Sequence, residues 1–179
     1  MNIVLSGSIA FDYLMTFPGK FKDHILPEHL DHLSLSFLVD NLIRRPGGVA
    51  TNIAYTLAML GERPLVMATV GEDFQPQLAA LEKIGVDTSG IRVIPGVPTA
   101  SFFANTDESN AQIASFYTGA MAHATELSFK DLETKPDLAV ISPNDPTAMV
   151  NYCQECVELG IPYLYDPVSK PSASRVRKW

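Results

Sequence analysis

An α/β doubly wound, mainly parallel sheet is predicted by this sequence on three observations. Short apolar runs alternate with helical stretches along the chain. Several of these runs end in small, acidic or amide residues, as buried parallel strands do where they leave a sheet. A Gly-Gly pair, Gly47-Gly48, stands directly before one of the helical stretches.

Taken in order, Ile3-Val4-Leu5 is a short apolar strand within residues 2–8, ending in Ser6-Gly7-Ser8, with Asp12 close behind. Residues 13–45 leave the main sheet. Residues 14–17 read as one strand closed by Pro18-Gly19, a second strand is expected within 33–42, and the pair is read as antiparallel cover. His24, His29 and His32 lie here without cysteines or paired carboxylates nearby and read as solvated loop. Residues 49–60 form a helix closed by Gly61. Val49, Ile53, Leu57 and Leu60 make one apolar line on it, with Ala50, Ala54 and Ala58 as a small-residue line beside it.

Residues 65–70 are a continuous apolar run and a buried strand; 75–84 are a helix stopped by Gly85; 91–94 are a strand. Residues 99–105 and 112–117 make a hairpin around the polar turn 106–110, a second excursion. Residues 138–142 are another buried strand. A helix at 147–159 follows, with Pro146 suited to its first turn and Gly160 beyond its end, and residues 161–165 are the last strand.

The 179 residues allow one domain, or one and a piece, and 46% hydrophobic with 18% charged residues is a globular profile. A net charge of −7 with no basic run before the last few residues argues against nucleic-acid binding through a basic face. No apolar run reaches membrane-spanning length and no signal peptide opens the chain, so the expectation is a soluble cytoplasmic protein. Cys153 and Cys156 stand on one helix face without a second ligand pair, and read as half-buried structural thiols rather than a metal or redox site. The sequence contains no G-x-x-x-x-G-K-[ST] phosphate loop, no G-x-G-x-x-G fingerprint and no G-x-S-x-G elbow.

Candidate chemistry gathers in two places. The glycines Gly47 and Gly48 can adopt unusual backbone angles and admit close approach, and the helix after them offers N–H groups, with Asn52 in its first turn. The strand ends carry Asp12, Asp73, Asn144, Asp145 and Asp166, a set that suits hydroxyl groups or a metal–phosphate. For Asp73, Asp145 and Asp166 a cap or turn role is the expectation.

The motifs Gly7-Ser8-x-x-x-Asp12, Gly47-Gly48-x-x-x-Asn52-x-Ala54, Val70-Gly71-x-Asp73, Gly85-Val86-Asp87 and Asp166-Pro167 follow one another in a telling order and spacing. Over about residues 1–167 the chain resembles the N-terminal part of the ribokinase-like (PfkB) carbohydrate kinases, which include sugar and adenosine kinases. The resemblance implies a ribokinase-like core with a β lid from segments near 13–45 and 97–118, and ATP-dependent phosphorylation of a sugar or nucleoside hydroxyl. It implies that Asp12, Gly47, Gly48 and Asn52 hold the acceptor's hydroxyls, with Asn144 at a neighbouring strand end.

In full-length relatives ATP and magnesium are expected. The family's catalytic base and phosphate-binding glycines lie in a C-terminal half outside these residues. No catalytic residue is therefore expected here, weak binding of ATP and magnesium is expected, and the chain alone is expected to be inactive. A homodimer through the lid is the expected assembly. The family's asparagine two residues before the sugar-binding Asp is Ala10 here, which argues against a ribokinase in the narrow sense. The long excursion at 21–42 suits the adenosine-kinase-like branch.

The alternative is a non-enzymatic binding or assembly module, or a pseudogene-like truncated product. Residues 168–179 are basic and without helical period, read as a non-family tail, and a shifted reading frame is the favoured source. A sheet cut there is expected to associate or dissolve poorly.

Overall fold

The structure, a computed structural model, describes residues 1–25 and 34–167. Strands β1 (Ile3–Ser6), β4 (Leu65–Gly71), β5 (Ile91–Ile94), β8 (Leu138–Ile141) and β9 (Tyr163–Tyr165) form one parallel sheet in the order β5-β4-β1-β8-β9. Strands β2 (Ala10–Thr16), β3 (Asn41–Gly47), β6 (Ala100–Thr106) and β7 (Gln112–Tyr117) form a second sheet in the order β3-β2-β6-β7. Helices α1 (Val49–Met59), α2 (Gln75–Lys83) and α3 (Pro146–Leu159) complete the chain's regular elements, with short 3-10 turns between.

Because side chains alternate along a strand, each central strand feeds two cores. Ile3 and Leu5 of β1 join Val66, Ala68 and Val70 of β4 under Ala50 and Ala54 of α1, with Leu78 and Leu81 of α2 packed against them. Val4, Met67, Ala139 and Ile141 pack on the other side, under Ala148, Met149, Tyr152 and Cys156 of α3. Helices thus cover both faces, the doubly wound arrangement. Tyr152, fully buried, donates its hydroxyl to the Ala124 carbonyl, and burial raises its pKa well above the usual phenol range.

Three expectations change. The first excursion strand is not 14–17 but begins at Ala10, so Asp12 is part of the small sheet itself. The second is Asn41–Gly47 rather than within 33–42, because residues 41–47 pair with all seven residues of β2 and run directly into Gly48. The small sheet is also mixed, since β2 and β6, which belong to different excursions, run parallel. On α1 the alanine line, with Thr51, is the buried one, and Leu60 is 75% exposed. A Cβ added to Gly7 would lie 3.0 Å from the Ser142 Cβ and 3.3 Å from the Ala50 Cβ, so a side chain there fits only if helix or loop shifts by a few tenths of an ångström.

Cys153 and Cys156 are free thiols. Cys156 is buried and Cys153 partly so, and burial raises both, Cys156 to about 11. Thiols so raised are neutral near pH 7 and poor nucleophiles. His24 is exposed and sets its ring edge-on to Phe17 and Phe37; His29 and His32 lie outside the described residues. Among the described residues no helix is long and apolar enough to cross a membrane.

Candidate functional site

The loops after β1 and β8 meet: the Ser8 N–H donates to the Pro143 carbonyl at 2.8 Å. Strand β1 lies between β4 and β8, where connections depart to opposite sides, and open α/β sheets take ligands beyond such a point. The β1–β2 loop delivers the chain from this crevice into the small sheet.

On β2, Asp12 stands in register between Arg45 of β3 and Phe102 of β6. Its carboxylate lies directly against Gly47, where an added Cβ would fall 2.3 Å from Asp12 Oδ2. No larger residue fits at 47 without displacing the carboxylate. Burial holds the half-buried Asp12 carboxyl above the ordinary carboxylate value.

Gly48 has φ 97° and ψ 149°, and a Cβ there would come within 2.4 Å of the Ser8 carbonyl oxygen. Both glycines are therefore required by the chain's own groups, Gly47 by Asp12 and Gly48 by the β1–β2 loop. The helix start is also less open than expected. The Val49 N–H donates to Ser8 Oγ at 3.3 Å and the Ala50 N–H to the Ser8 carbonyl at 3.1 Å. Thr51, which the sequence reading passed over, donates its hydroxyl to the carbonyls of Gly47 and Gly48 at 2.6 and 2.9 Å. It locks the Gly-Gly turn from inside the helix. The signal was a small hydroxyl residue three and four positions after the glycines.

The structure thus brings Asp12, Gly47 and Gly48 together. Asn52 lies in the first turn of α1, exposed, and borders a groove of about 310 Å³ between α1 and α2 with Pro46, Tyr55 and Phe74. Asp12 does not line that groove. Asn144 is buried after β8, and its side-chain oxygen accepts the Asp145 N–H at 2.9 Å, so that oxygen is engaged locally.

The other acidic strand ends hold the fold. Asp73 Oδ1 accepts both the N–H and the hydroxyl of Thr99, at 3.0 and 2.6 Å, and Thr99 Oγ1 in turn accepts the Gly71 N–H at 2.9 Å. The Gly71-x-Asp73 motif is a clamp between the end of β4 and the start of β6. Asp145 caps α3 by accepting the Ala148 N–H at 2.9 Å. Asp166 is exposed, and its backbone N–H donates to the Ile141 carbonyl at 2.9 Å.

The sequence model for the pfkB family carbohydrate kinase matches residues 17–177. The chain belongs to this family. Gly47, Gly48, Asn52 and Asn144 fall within the matched segment and Asp12 just ahead of it. A nucleoside kinase from Methanothermobacter thermautotrophicus is 29% identical over 141 residues, covering 76% of this chain and 40% of that one. The structure of a nucleoside kinase from Burkholderia thailandensis in complex with inosine superposes with a TM-score of 0.80 at 36% identity, over 92% of this chain and 52% of that one. A nucleoside kinase of Methanocaldococcus jannaschii, 22% identical, shares the fold at a TM-score of 0.77 over 93% of this chain and 52% of that one. The pfkB-family chain described here therefore spans about half the length of the proteins it matches.

Proposed function

We propose that this chain carries the acceptor-binding half of an ATP-dependent kinase whose acceptor is a nucleoside, with a sugar as the broader class. The observation that carries the reading is the Asp12 carboxylate, half-buried and seated against Gly47 on the sheet that borders the β1–β8 crevice. An ionised carboxylate there accepts from two neighbouring hydroxyls at once, and charge-assisted bonds of this kind are the strong ones. The reading is supported by the Burkholderia protein, which binds inosine.

The small sheet serves as a lid whose closure excludes water that would compete for the phosphoryl group. Gly47 and Gly48 shape the site, Asn52 offers its amide from the first turn of α1, and Asn144 marks the neighbouring strand end. Transfer of phosphate also needs activation of the hydroxyl and stabilisation of phosphoryl charge. Both come, in this reading, from sequence beyond the half shared here, so the polypeptide 1–179 binds the acceptor without phosphorylating it. Among the described residues no group of three His, Cys, Asp or Glu side chains is placed to hold a metal. In this reading the magnesium that accompanies ATP in the family is held by the same sequence that binds the nucleotide. The lid's outward apolar side chains, Leu42, Ile113 and Tyr117, suit a homodimer through this sheet.

Calorimetric titration of residues 1–179 with inosine tests the site. Binding is expected, with a loss of at least tenfold in an Asp12→Ala variant, the scale of a charge-assisted hydrogen bond of roughly 1.5–3 kcal/mol. Equal affinity in the variant contradicts the proposal.

A further inference from the structure

The two neighbours of Asp12 on β2 are gripped by one side chain. Strand alternation sends Phe11 and Tyr13 to the face of the small sheet opposite Asp12. Arg44 of β3, the register partner of Tyr13, shares that face. Its guanidinium lies 3.7 Å from the centre of the Phe11 ring and 5.7 Å from that of Tyr13. It therefore spans β2 on both sides of the position that bears the carboxylate.

This grip is one link in a stack that runs from the core into the small sheet. Phe11, 1% exposed, meets the buried Phe74 at 5.1 Å between centroids. On the other side of Arg44, Tyr13 stacks on Phe103 of β6 at 4.6 Å. Phe74, Phe11, Arg44, Tyr13 and Phe103 thus join the core to three strands without a break. Among the described residues Arg44 enters none of the ion pairs, so its contacts are with ring faces rather than with a carboxylate. A planar, weakly hydrated guanidinium suits that place, and a lysine ammonium does not reproduce it.

We infer that Arg44 is a positioning residue for the acceptor site: by holding Phe11 and Tyr13 it fixes where β2 presents Asp12, on the reading of Asp12 as the hydroxyl-binding group. A strand held at both neighbours of one residue has little freedom at that residue. Without the grip, the seat of Asp12 against Gly47 becomes one arrangement among several. Acceptor affinity then falls by the fraction of molecules that still hold it. Arg44 acts by packing, since burial rather than a neighbouring charge is the cause of the raised Asp12 carboxyl. On the face of Asp12 itself, its register neighbours are the charged Arg45 of β3 and the uncharged Phe102 of β6.

The test is calorimetric titration of the polypeptide 1–179 with inosine, below the unfolding transition of each variant. The variants are Arg44→Ala, Arg44→Lys, Phe11→Leu, the Arg44→Ala/Phe11→Leu pair and Asp12→Ala. Arg44→Ala is expected to weaken inosine about two- to fivefold, the scale of an exposed cation–π contact. Arg44→Lys is expected to stay weaker than the wild type, and the loss from Arg44→Ala to shrink in the Phe11→Leu background. The decline of affinity in acid is expected to move to lower pH in Arg44→Ala, because a looser β2 admits water to Asp12; this readout decides the matter if Phe11→Leu fails to fold. Wild-type affinity in Arg44→Lys, or fully additive losses in the double variant, overturns the positioning role. So does unchanged affinity with an unmoved pH profile in Arg44→Ala while Asp12→Ala abolishes binding, an outcome that leaves the Asp12 site standing. Unchanged inosine binding in Asp12→Ala, or no binding to the wild type, overturns both.

Discussion

Asp12 and the two glycines show how little separates a structural demand from a functional one. Gly47 is glycine because a carboxylate occupies the space a side chain would need, and Gly48 is glycine because φ is 97° and the Ser8 carbonyl lies where a Cβ would go. Gly48→Ala is expected to cost about 1–3 kcal/mol from the backbone conformation alone, read as a lower denaturant midpoint with an unchanged slope. A midpoint equal to wild type would contradict the geometry. At this scale the sequence was informative: motif spacing named Asp12, Gly47 and Gly48, which the fold brings together. Thr51 was passed over, because its one mark, a hydroxyl three and four positions after two glycines, is shared by many helix residues that bond nothing but water.

Among the elements, the small sheet meets the rest of the chain through Phe11, buried in the core against Phe74 at 5.1 Å, and its excursions are pinned by two carboxylates. The Asp73–Thr99 clamp fixes the entry to β6. At the far end, Asp107 is buried and accepts N–H groups from Phe21, Ser109 and Ala111, with the Ser109 hydroxyl as a fourth donor. This joins the first excursion to the turn of the β6–β7 hairpin, next to a knot of Phe17, Phe21 and Phe37 rings. Burial alone would raise the Asp107 carboxyl, but the hydrogen bonds from Phe21, Ser109 and Ala111 outweigh it and hold it below the ordinary carboxylate value. A carboxylate lowered in the folded state stabilises it above the ordinary value and loses that contribution only as pH falls through the lowered one. The hairpin tip is therefore expected to stay protected from amide exchange into mild acid and to open in strong acid. Asp107→Ala is expected to speed exchange at Ser109 and Ala111 at neutral pH, while exchange in β1 and β4 stays slow. Uniform acceleration across the chain would show instead that Asp107 supports the whole fold.

Element type was legible wherever one period dominated, as in β4, α2, β5, the hairpin strands β6 and β7, and α3. The excursion strands were misplaced because β2 and β3 carry apolar residues on both faces, such as Phe11 and Leu14 on β2 and Leu42 and Ile43 on β3, so periodicity has no single face to report. The parallel pairing of β2 with β6 joins segments some ninety residues apart, and no local signal carries such a pairing.

For the whole molecule, the two cores lie on either side of β1, and the large sheet's described edge is β9, whose Tyr163, Leu164 and Tyr165 are all exposed. Beside it α3 shows Val150 and Val157 to solvent. An exposed apolar edge strand is a template for pairing with another chain. The polypeptide 1–179 on its own is expected to sediment as dimers or larger species at micromolar concentration. A clean monomer with one cooperative unfolding transition would contradict this. The fold class was legible at this scale from the alternation of strands and helices, and the family from motif spacing. The choice between a sugar and a nucleoside acceptor is not written at this scale, because it depends on how two excursions register against each other across the small sheet.

The central claim is that an ionised Asp12 holds the acceptor, and the most direct test is the pH dependence of inosine affinity in the wild type and in Asp12→Asn. Burial raises the Asp12 carboxyl, so its charged form costs folding stability above the raised value and that cost is relieved as pH falls and the group protonates. Binding should run the other way. Wild-type affinity is expected to be full at neutral pH and to decline on acidification before ordinary carboxylates titrate. Asp12→Asn is expected to bind weakly at every pH and to be no less stable than the wild type. Affinity that is flat from neutral pH through the ordinary carboxylate range, or an Asp12→Asn variant that binds as tightly as the wild type, would contradict the claim.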